Sequence, residues 1–330
     1  MKGSDTFCEC VKMKIVIVGA GALGRLFGAL LARGGEDVCF VEPDQEVVAA
    51  INDKGVGVTM PEQAAEKIAY YPARATGSGG EIGQCDLLIM AVKSYHVYEA
   101  VLGVSHLVSD NSPLLSLLNG LGHLEVMGRV VDRKNIIAGF TNMAATALGP
   151  GLVANDGIGK TKIGEHDGTI SPRLDRINSL LNKCAIETEP VQDIVSRMWC
   201  KVIVHAAINP VSAVVRQRNG HLIEGIESIS LLKRLVDEGE EVADSCGIVL
   251  GATDLYGMLI ATCRRTFNHL SPMLQDIINQ RKTEVDALNG ILSRYGRRNG
   301  VEAVTHQTMF ELIRSVEKSY GLWDEKEERF

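Results

Sequence analysis

Three polar side chains recur along one face of an otherwise apolar segment. In Trp199-Cys-Lys201-Val-Ile-Val-His205-Ala-Ala-Ile-Asn209-Pro210, the residues Lys201, His205 and Asn209 stand at i, i+4 and i+8, the spacing that stacks side chains on one side of a helix. The intervening positions are Val, Ile and Ala, so the helix is expected to be largely buried, and a lysine there needs a reason. One reason is structural: a carboxylate partner, or a stem lying on apolar surface with its ammonium in water. The other is chemical. An ammonium held in place stabilises negative charge growing on an oxygen and can hand it a proton. For His205, a satisfied core histidine and a functional one weigh equally; a charged His205 on a carboxylate would make affinity fall as pH rises through its pKa. A second segment, Ser271-Pro-Met-Leu-Gln-Asp276 through Lys282-Thr-Glu284-Val-Asp286-Ala-Leu-Asn289-Gly290, supplies a candidate carboxylate. Ser271 and Pro272 read as an N-cap and first helical residue, and the helix they open is expected to span 272–296 with Glu284 inside it.

The other chemistry-bearing motif lies near the start. Gly19-Ala20-Gly21-Ala22-Leu23-Gly24 fits G-x-G-x-x-G. The pattern alone is weak, but here it directly follows a β-branched run at 14–18 and opens a Leu/Ala-rich helix at 22–32. In that context the glycines serve three steric needs: the tight turn, the approach of backbone to a pyrophosphate, and close packing of helix on strand. The helix N-terminus then offers N–H groups to phosphates. The acidic residue expected about 20 positions on is Glu42, which ends the strand Asp37-Val-Cys-Phe-Val-Glu42. A carboxylate there accepts from ribose hydroxyls and repels a 2′-phosphate, which favours NADH over NADPH; the plain alternative is a surface charge at a strand end.

The elements that must position these residues divide the chain. Apolar runs at 14–18, 37–42, 86–92, 114–118 and 135–140, with helical segments between, predict a parallel sheet covered on both faces. Short alternating stretches at 55–75 and 142–165 read as antiparallel hairpins added to the sheet edge. After the strand-like 185–188 and Pro190 the texture turns helical, over 193–208, 227–247, 251–266, 272–296 and 301–319. The expected organisation is a loose extension at 1–12, a dinucleotide-binding domain at 13–190 and a helical substrate domain at 191–330. Met13, directly before the first strand, reads as the natural start.

Composition sets outer limits. The 330 residues are 45% hydrophobic and 23% charged, as in an ordinary globular chain of two domains. A net charge of −7 with no basic block argues against nucleic acid. No apolar run reaches about 18 residues, so no membrane partner is expected. The acidic and basic residues at 324–329 read as a solvated tail. The eight cysteines include no Cys-x-x-Cys pair, and Cys8 and Cys10 alone make a poor metal site. Reduced thiols in a cytoplasmic protein with no metal are the expectation.

Taken together, residues 19–24, Ala91-Val-Lys93, Asn119-Gly120, Trp199-Cys-Lys201, Asn209-Pro210, Met273-Leu-Gln-Asp276, Thr283-Glu284 and Asn289-Gly290 make the chain, from Met13 on, resemble the ketopantoate reductase family. The resemblance implies an α/β Rossmann domain with a parallel sheet followed by an all-α domain of the 6-phosphogluconate-dehydrogenase-like type, with the active site in the cleft between them. It implies that Lys201 protonates the ketone oxygen as hydride arrives and that Glu284 binds the substrate hydroxyl and helps order the cofactor. Asn119 is implied near nicotinamide and substrate, Lys93 on the cofactor side, and Asn209 at the substrate. Three departures stand out. His205 occupies a position usually Asn. Pro272 replaces a substrate-binding serine, with Ser271 displaced by one. Pro43 follows Glu42 where many NADPH-using members carry arginine. The implied activity is NAD(P)H-dependent reduction of a 2-oxo acid, 2-dehydropantoate to pantoate on the path to pantothenate and coenzyme A. A related 2-hydroxy-acid dehydrogenase with another substrate side chain stays open, as does a homodimer. A non-catalytic dinucleotide sensor would need neither Lys201 nor Glu284.

Overall fold

Runs of three to six β-branched and leucine-rich residues supply the strands of the first half. In chain order they form β1 (Lys14–Val18), α1 (Ala22–Arg33), β2 (Asp37–Val41), α2 (Gln45–Lys54), β3 (Val56–Thr59), β4 (Ile68–Tyr71), β5 (Arg74–Thr76), β6 (Leu87–Met90), α3 (Val97–Val104), β7 (Leu114–Ser116), α4 (His123–Met127), β8 (Ile136–Thr141), β9 (Ala144–Gly149), β10 (Leu152–Gly157), β11 (Thr161–Gly164), α5 (Pro172–Lys183) and β12 (Thr188–Pro190). The computed structural model describes residues 12–59, 68–157 and 159–321. The expectations for Cys8 and Cys10, for the extension apart from Lys12, and for the tail at 324–329 lie outside these residues.

By its contacts the chain divides into two compact units. The first holds the described residues up to Val92, His96–Leu118 and Leu124–Gln192; the second holds Lys93–Tyr95, Asn119–His123 and the chain from Asp193 on. Thus two short loops that follow β6 and β7 in the chain pack with the helices.

The first unit is built on an eight-stranded sheet of order β12-β11-β8-β7-β6-β1-β2-β5. From β5 to β8 every pairing is parallel, which is the Rossmann order 3-2-1-4-5-6. β11 adds antiparallel to β8, and β12 parallel to β11. Alternation along β1 separates the two faces: Ile15 and Ile17 pack in one core, Val16 and Val18 in the other, so the strand is apolar throughout because both faces are covered. The chain order reverses between β1 and β6, and ligands of open α/β sheets bind beyond the carboxyl ends of strands at such a point. The glycine turn follows β1 there.

The hairpins take a different place from the one expected. Instead of extending the main sheet, β3–β4 and β9–β10 build a separate four-stranded sheet, β4-β3-β10-β9, joined by parallel β3–β10 pairing. Buried Arg25 of α1 explains their recruitment: its guanidinium donates to the carbonyls of Gly149 and Leu152 at the β9–β10 turn. Among the described residues of those stretches, only β5 and β11 join the main sheet.

The second unit is helical: α6 (Ile194–Val215), α7 (Ile226–Ser245), α8 (Leu255–Arg265), α9 (Pro272–Ile278), α10 (Asn289–Arg298) and α11 (Val304–Lys318). α6 is long and apolar enough to cross a membrane, but 78% of that stretch is buried inside the protein, and it forms the centre of the helical core. The single helix expected over 272–296 is two. α9 ends with Gln280 in the left-handed region (φ 51°), where the Gln280 amide donates to the Ile277 carbonyl and that of Arg281 to Asp276. This is the paired closing pattern usually built on glycine. Glu284 therefore lies in the connection, at the start of a 3-10 turn, Val285–Ala287, and not within a helix. Among the described cysteines, Cys39, Cys184, Cys200 and Cys263 are buried free thiols.

Candidate active site

The first unit offers a cradle. Gly19 holds φ +97°, and a Cβ there would lie 2.8 Å from Val92 Cγ1 and 3.0 Å from the Ala91 carbonyl oxygen; one on Gly24 would lie 2.1 Å from the Gly19 oxygen. Gly21 faces open space, with its nearest neighbour for a Cβ at 4.0 Å. Gly21 is also the N-cap of α1, gives no side-chain cap, and the first turn carries no acidic residue. First-turn amides beside open space and free of negative charge suit a phosphate. Glu42 closes the turn: Oε2 accepts from the Ala20 amide at 2.7 Å and Oε1 from the Asp44 amide at 3.1 Å. Each oxygen keeps a lone pair, so a ribose can still be accepted. These residues fit a dinucleotide.

The second unit holds a pocket. His205 and Asn209 reach it from α6, Pro272, Met273 and Asp276 from α9, Glu284 and Leu288 from the connection to α10, and Asn119 from its loop. Pro272, Met273 and Leu288 make one side apolar while carboxylates and amides line the rest. Lys201 does not itself line the cavity, but its Nζ donates to Asn119 Oδ1 at 3.1 Å. Loss of hydration pushes the ammonium down to about 8, against an upward pull from Glu284. Lys93 Nζ lies 2.8 Å from Asp276 Oδ2 and 3.7 Å from Glu284 Oε2. Burial alone would lower the Lys93 pKa; Glu284 and Asp276 outweigh it and raise it. Glu284 Oε1 accepts the Ser94 amide at 2.9 Å. The pocket thus joins two ammonium groups to two carboxylates, and of the two ammonium groups Lys201 is the one whose pKa is lowered toward neutrality. Among the described residues no group of three or more His, Cys, Asp or Glu side chains is placed to hold a metal.

Burial pushes His205 down to about 3, with Lys201 and Arg265 adding repulsion, so without a bound carboxylate its imidazole faces the pocket uncharged. Ser271 is 1% exposed; its hydroxyl accepts the Leu274 amide at 3.1 Å and donates to the Asn209 carbonyl at 3.4 Å. It caps α9, and its neighbour Pro272 lines the pocket in its place. Asp276 belongs to a motif that carries the family resemblance but had no role assigned from the sequence, because an aspartate in the first two turns of a helix looks like an ordinary surface charge. Its burial beside Lys93 sets it apart.

The sequence model described as ketopantoate reductase PanE/ApbA matches residues 15–168, and that of ketopantoate reductase PanE/ApbA C terminal matches residues 193–317. The chain belongs to the ketopantoate reductase family. Within this family, a 2-dehydropantoate 2-reductase of Pyrococcus abyssi is 33% identical, the alignment covering 94% of this chain and 99% of that protein. One from Archaeoglobus fulgidus is 29% identical over 92% and 98%. A solved D-mandelate dehydrogenase with NADH and anilino(oxo)acetate is 26% identical, with TM-score 0.85 over 93% of this chain and 99% of its own. Ketopantoate reductase family membership thus spans both units, the glycine turn in one and the lysine-bearing pocket in the other.

Proposed function

We propose that this protein reduces a 2-oxo acid to the corresponding 2-hydroxy acid with a nicotinamide dinucleotide, and that the substrate is 2-dehydropantoate, giving pantoate. The observation that carries the reading is Lys201: an ammonium poised at about 8 and directed onto Asn119 Oδ1 beside a pocket with one apolar wall. The 33% identity to a 2-dehydropantoate 2-reductase supports the substrate. Residues 19–24 and Glu42 would hold the dinucleotide, with Lys93 and Asn119 as further contacts; when bound, it supplies the hydride. Lys201 stabilises the oxygen on which charge grows and protonates it. Glu284, fixed by the Ser94 amide, accepts the hydroxyl of the product, and His205 and Asn209 orient the acid through neutral hydrogen bonds.

We further propose NADH as the preferred reductant. Glu42 supports this, as does the likeness to a dehydrogenase solved with NADH. A second reading has a specific basis. His205 and Pro272 line the pocket, and the D-mandelate dehydrogenase likeness fits a 2-oxo acid with a different side chain. The deciding experiment assays a panel of 2-oxo acids, ketopantoate and phenylglyoxylate included, with NADH and NADPH. The highest kcat/KM on ketopantoate supports the first reading and the highest on phenylglyoxylate the second; no turnover of any 2-oxo acid overturns both.

A further inference from the structure

α6 contains a proline in its interior, Pro210, one residue after Asn209. Proline has no N–H and its ring crowds the carbonyl four residues back, so the Ala206 carbonyl loses its helical donor. That orphan acceptor sits between His205 and Asn209 in a buried stretch. It is met from outside the helix: Asn289 Nδ2, at the start of α10, donates to the Ala206 oxygen at 2.8 Å. Asn289 is 0% exposed, and its orientation follows from chemistry, because a carbonyl only accepts and the amide nitrogen must therefore face Ala206. The same Nδ2 lies 3.0 Å from His306 Nδ1, and His306 Nε2 lies 2.9 Å from the Leu235 carbonyl. Only one tautomer satisfies both contacts: Nε2–H donates to Leu235 while Nδ1 accepts from Asn289. His306 is itself fixed by α7, since Glu238 accepts the backbone amides of Thr305 and His306 at the start of α11. A chain of hydrogen bonds thus runs from α7 through His306 and Asn289 to the one turn of α6 that cannot hold itself.

We propose that Asn289, locked by His306, is a positioning residue for the reaction: by closing the gap that Pro210 opens, it fixes the turn of α6 that ties Lys201 and His205 to Asn209. The proposal rests on the reductase reading for its kinetic consequence, but not for the brace itself. Asn289 acts only through the backbone of α6.

The test is a double-mutant cycle in the full chain. Pro210→Ala restores an N–H that can reach the Ala206 carbonyl, which makes the brace redundant. Asn289→Ala in the Pro210 protein is expected to lower kcat by about 10- to 100-fold, the scale of a displacement near 1 Å at the reacting groups, with NADH affinity unchanged. In the Pro210→Ala background the same substitution is expected to cost less than about threefold, a coupling of the kind adjacent partners show. His306→Leu, which leaves Asn289 unlocked, is expected to give a smaller loss that Pro210→Ala also relieves. Equal losses in the two backgrounds, or kcat within about twofold of the parent for Asn289→Ala, overturn the proposal. If Asn289→Ala or His306→Leu does not yield folded protein, recovery of folding by Pro210→Ala supports the brace and failure to recover refutes it. Hydrogen exchange of α6 separates this claim from the reductase reading. If the parent reduces no 2-oxo acid, that reading fails, while faster exchange around Pro210 in Asn289→Ala, reversed by Pro210→Ala, still supports the brace; unchanged exchange removes it.

Discussion

Lys201 is the residue on which the proposed chemistry turns, and its ionisation gives the sharpest forecast. It acts on charge that exists mainly in the transition state, so Lys201→Ala should lower kcat far more than it raises KM, by about 10²–10³-fold for one lost donor. Its folded pKa is lowered to about 8, so the ammonium is present below that value and vanishes above it. In the direction of reduction, kcat/KM should therefore be flat on the acid side of about 8 and fall tenfold per pH unit beyond, a limb absent in Lys201→Ala. Near-normal kcat in that variant would make Lys201 structural. Neutral His205 predicts the opposite behaviour: His205→Asn should change the ranking of 2-oxo acids while leaving the pH profile between 5 and 8 as it was. A changed profile with unchanged ranking would return charge to His205. Lys201 was legible in the sequence as an out-of-place charge in apolar company, whereas Glu284 and Asn119 drew their roles from the family resemblance. Leu288 and Met273 were not legible, since an apolar residue that lines a pocket has the same sequence signature as one that fills a core.

At the scale of the element, the turn between β1 and α1 is where sterics leave least freedom. A Cβ on Gly24 would stand 2.1 Å from the Gly19 oxygen, a backbone atom that cannot swing aside. Gly24→Ala should therefore push α1 away from the turn and weaken NADH binding by at least about tenfold, since the phosphate-binding amides move with the helix. Fluorescence titration of NADH checks it, and affinity unchanged within error would mean that the dinucleotide is held elsewhere. This turn was readable because strand, glycines and helix follow one another without interruption. The ends of α6 and α9 were not. Both close on a left-handed residue that is not glycine, Arg216 at φ 53° and Gln280 at φ 51°, so the usual stop signal is missing, while the proline expected to stop α6, Pro210, lies inside it. The apolar pattern resumes across the break after Ile278 and reads as one helix. The small sheet was hidden for a related reason: strand pairing between β3 and β10 depends on residues nearly a hundred positions apart and on the buried Arg25, neither of which leaves a local mark.

Over the whole molecule, two buried histidines give the helical unit an expected dependence of stability on pH. His123 and His306 both belong to it and are 4% and 0% exposed. Burial lowers the pKa of each to about 4, for His306 against an upward pull from Glu238 and the Leu235 carbonyl. An unfolded histidine takes its proton near 6.5. Between these values the unfolded state binds more protons than the folded one, so stability rises with pH there. The full contribution is present above about 6.5 and is lost as pH falls toward about 4. For the two groups together, the loss between pH 7 and pH 5 should be about 3–4 kcal/mol, an upper figure because partial opening lets protons in early. Trp199 stacks on Tyr295 inside this unit, with ring centroids 5.4 Å apart, so urea unfolding followed by tryptophan fluorescence reports on it. His123 gives the control, because neither ring nitrogen has a hydrogen-bond partner among the described residues. Leucine fills a comparable volume without an unmet donor or acceptor, and His123→Leu should leave stability at pH 7 equal or higher while removing about half of what these two histidines lose at pH 5. Equal stability of the parent at pH 5 and pH 7 would show that these rings are hydrated in solution.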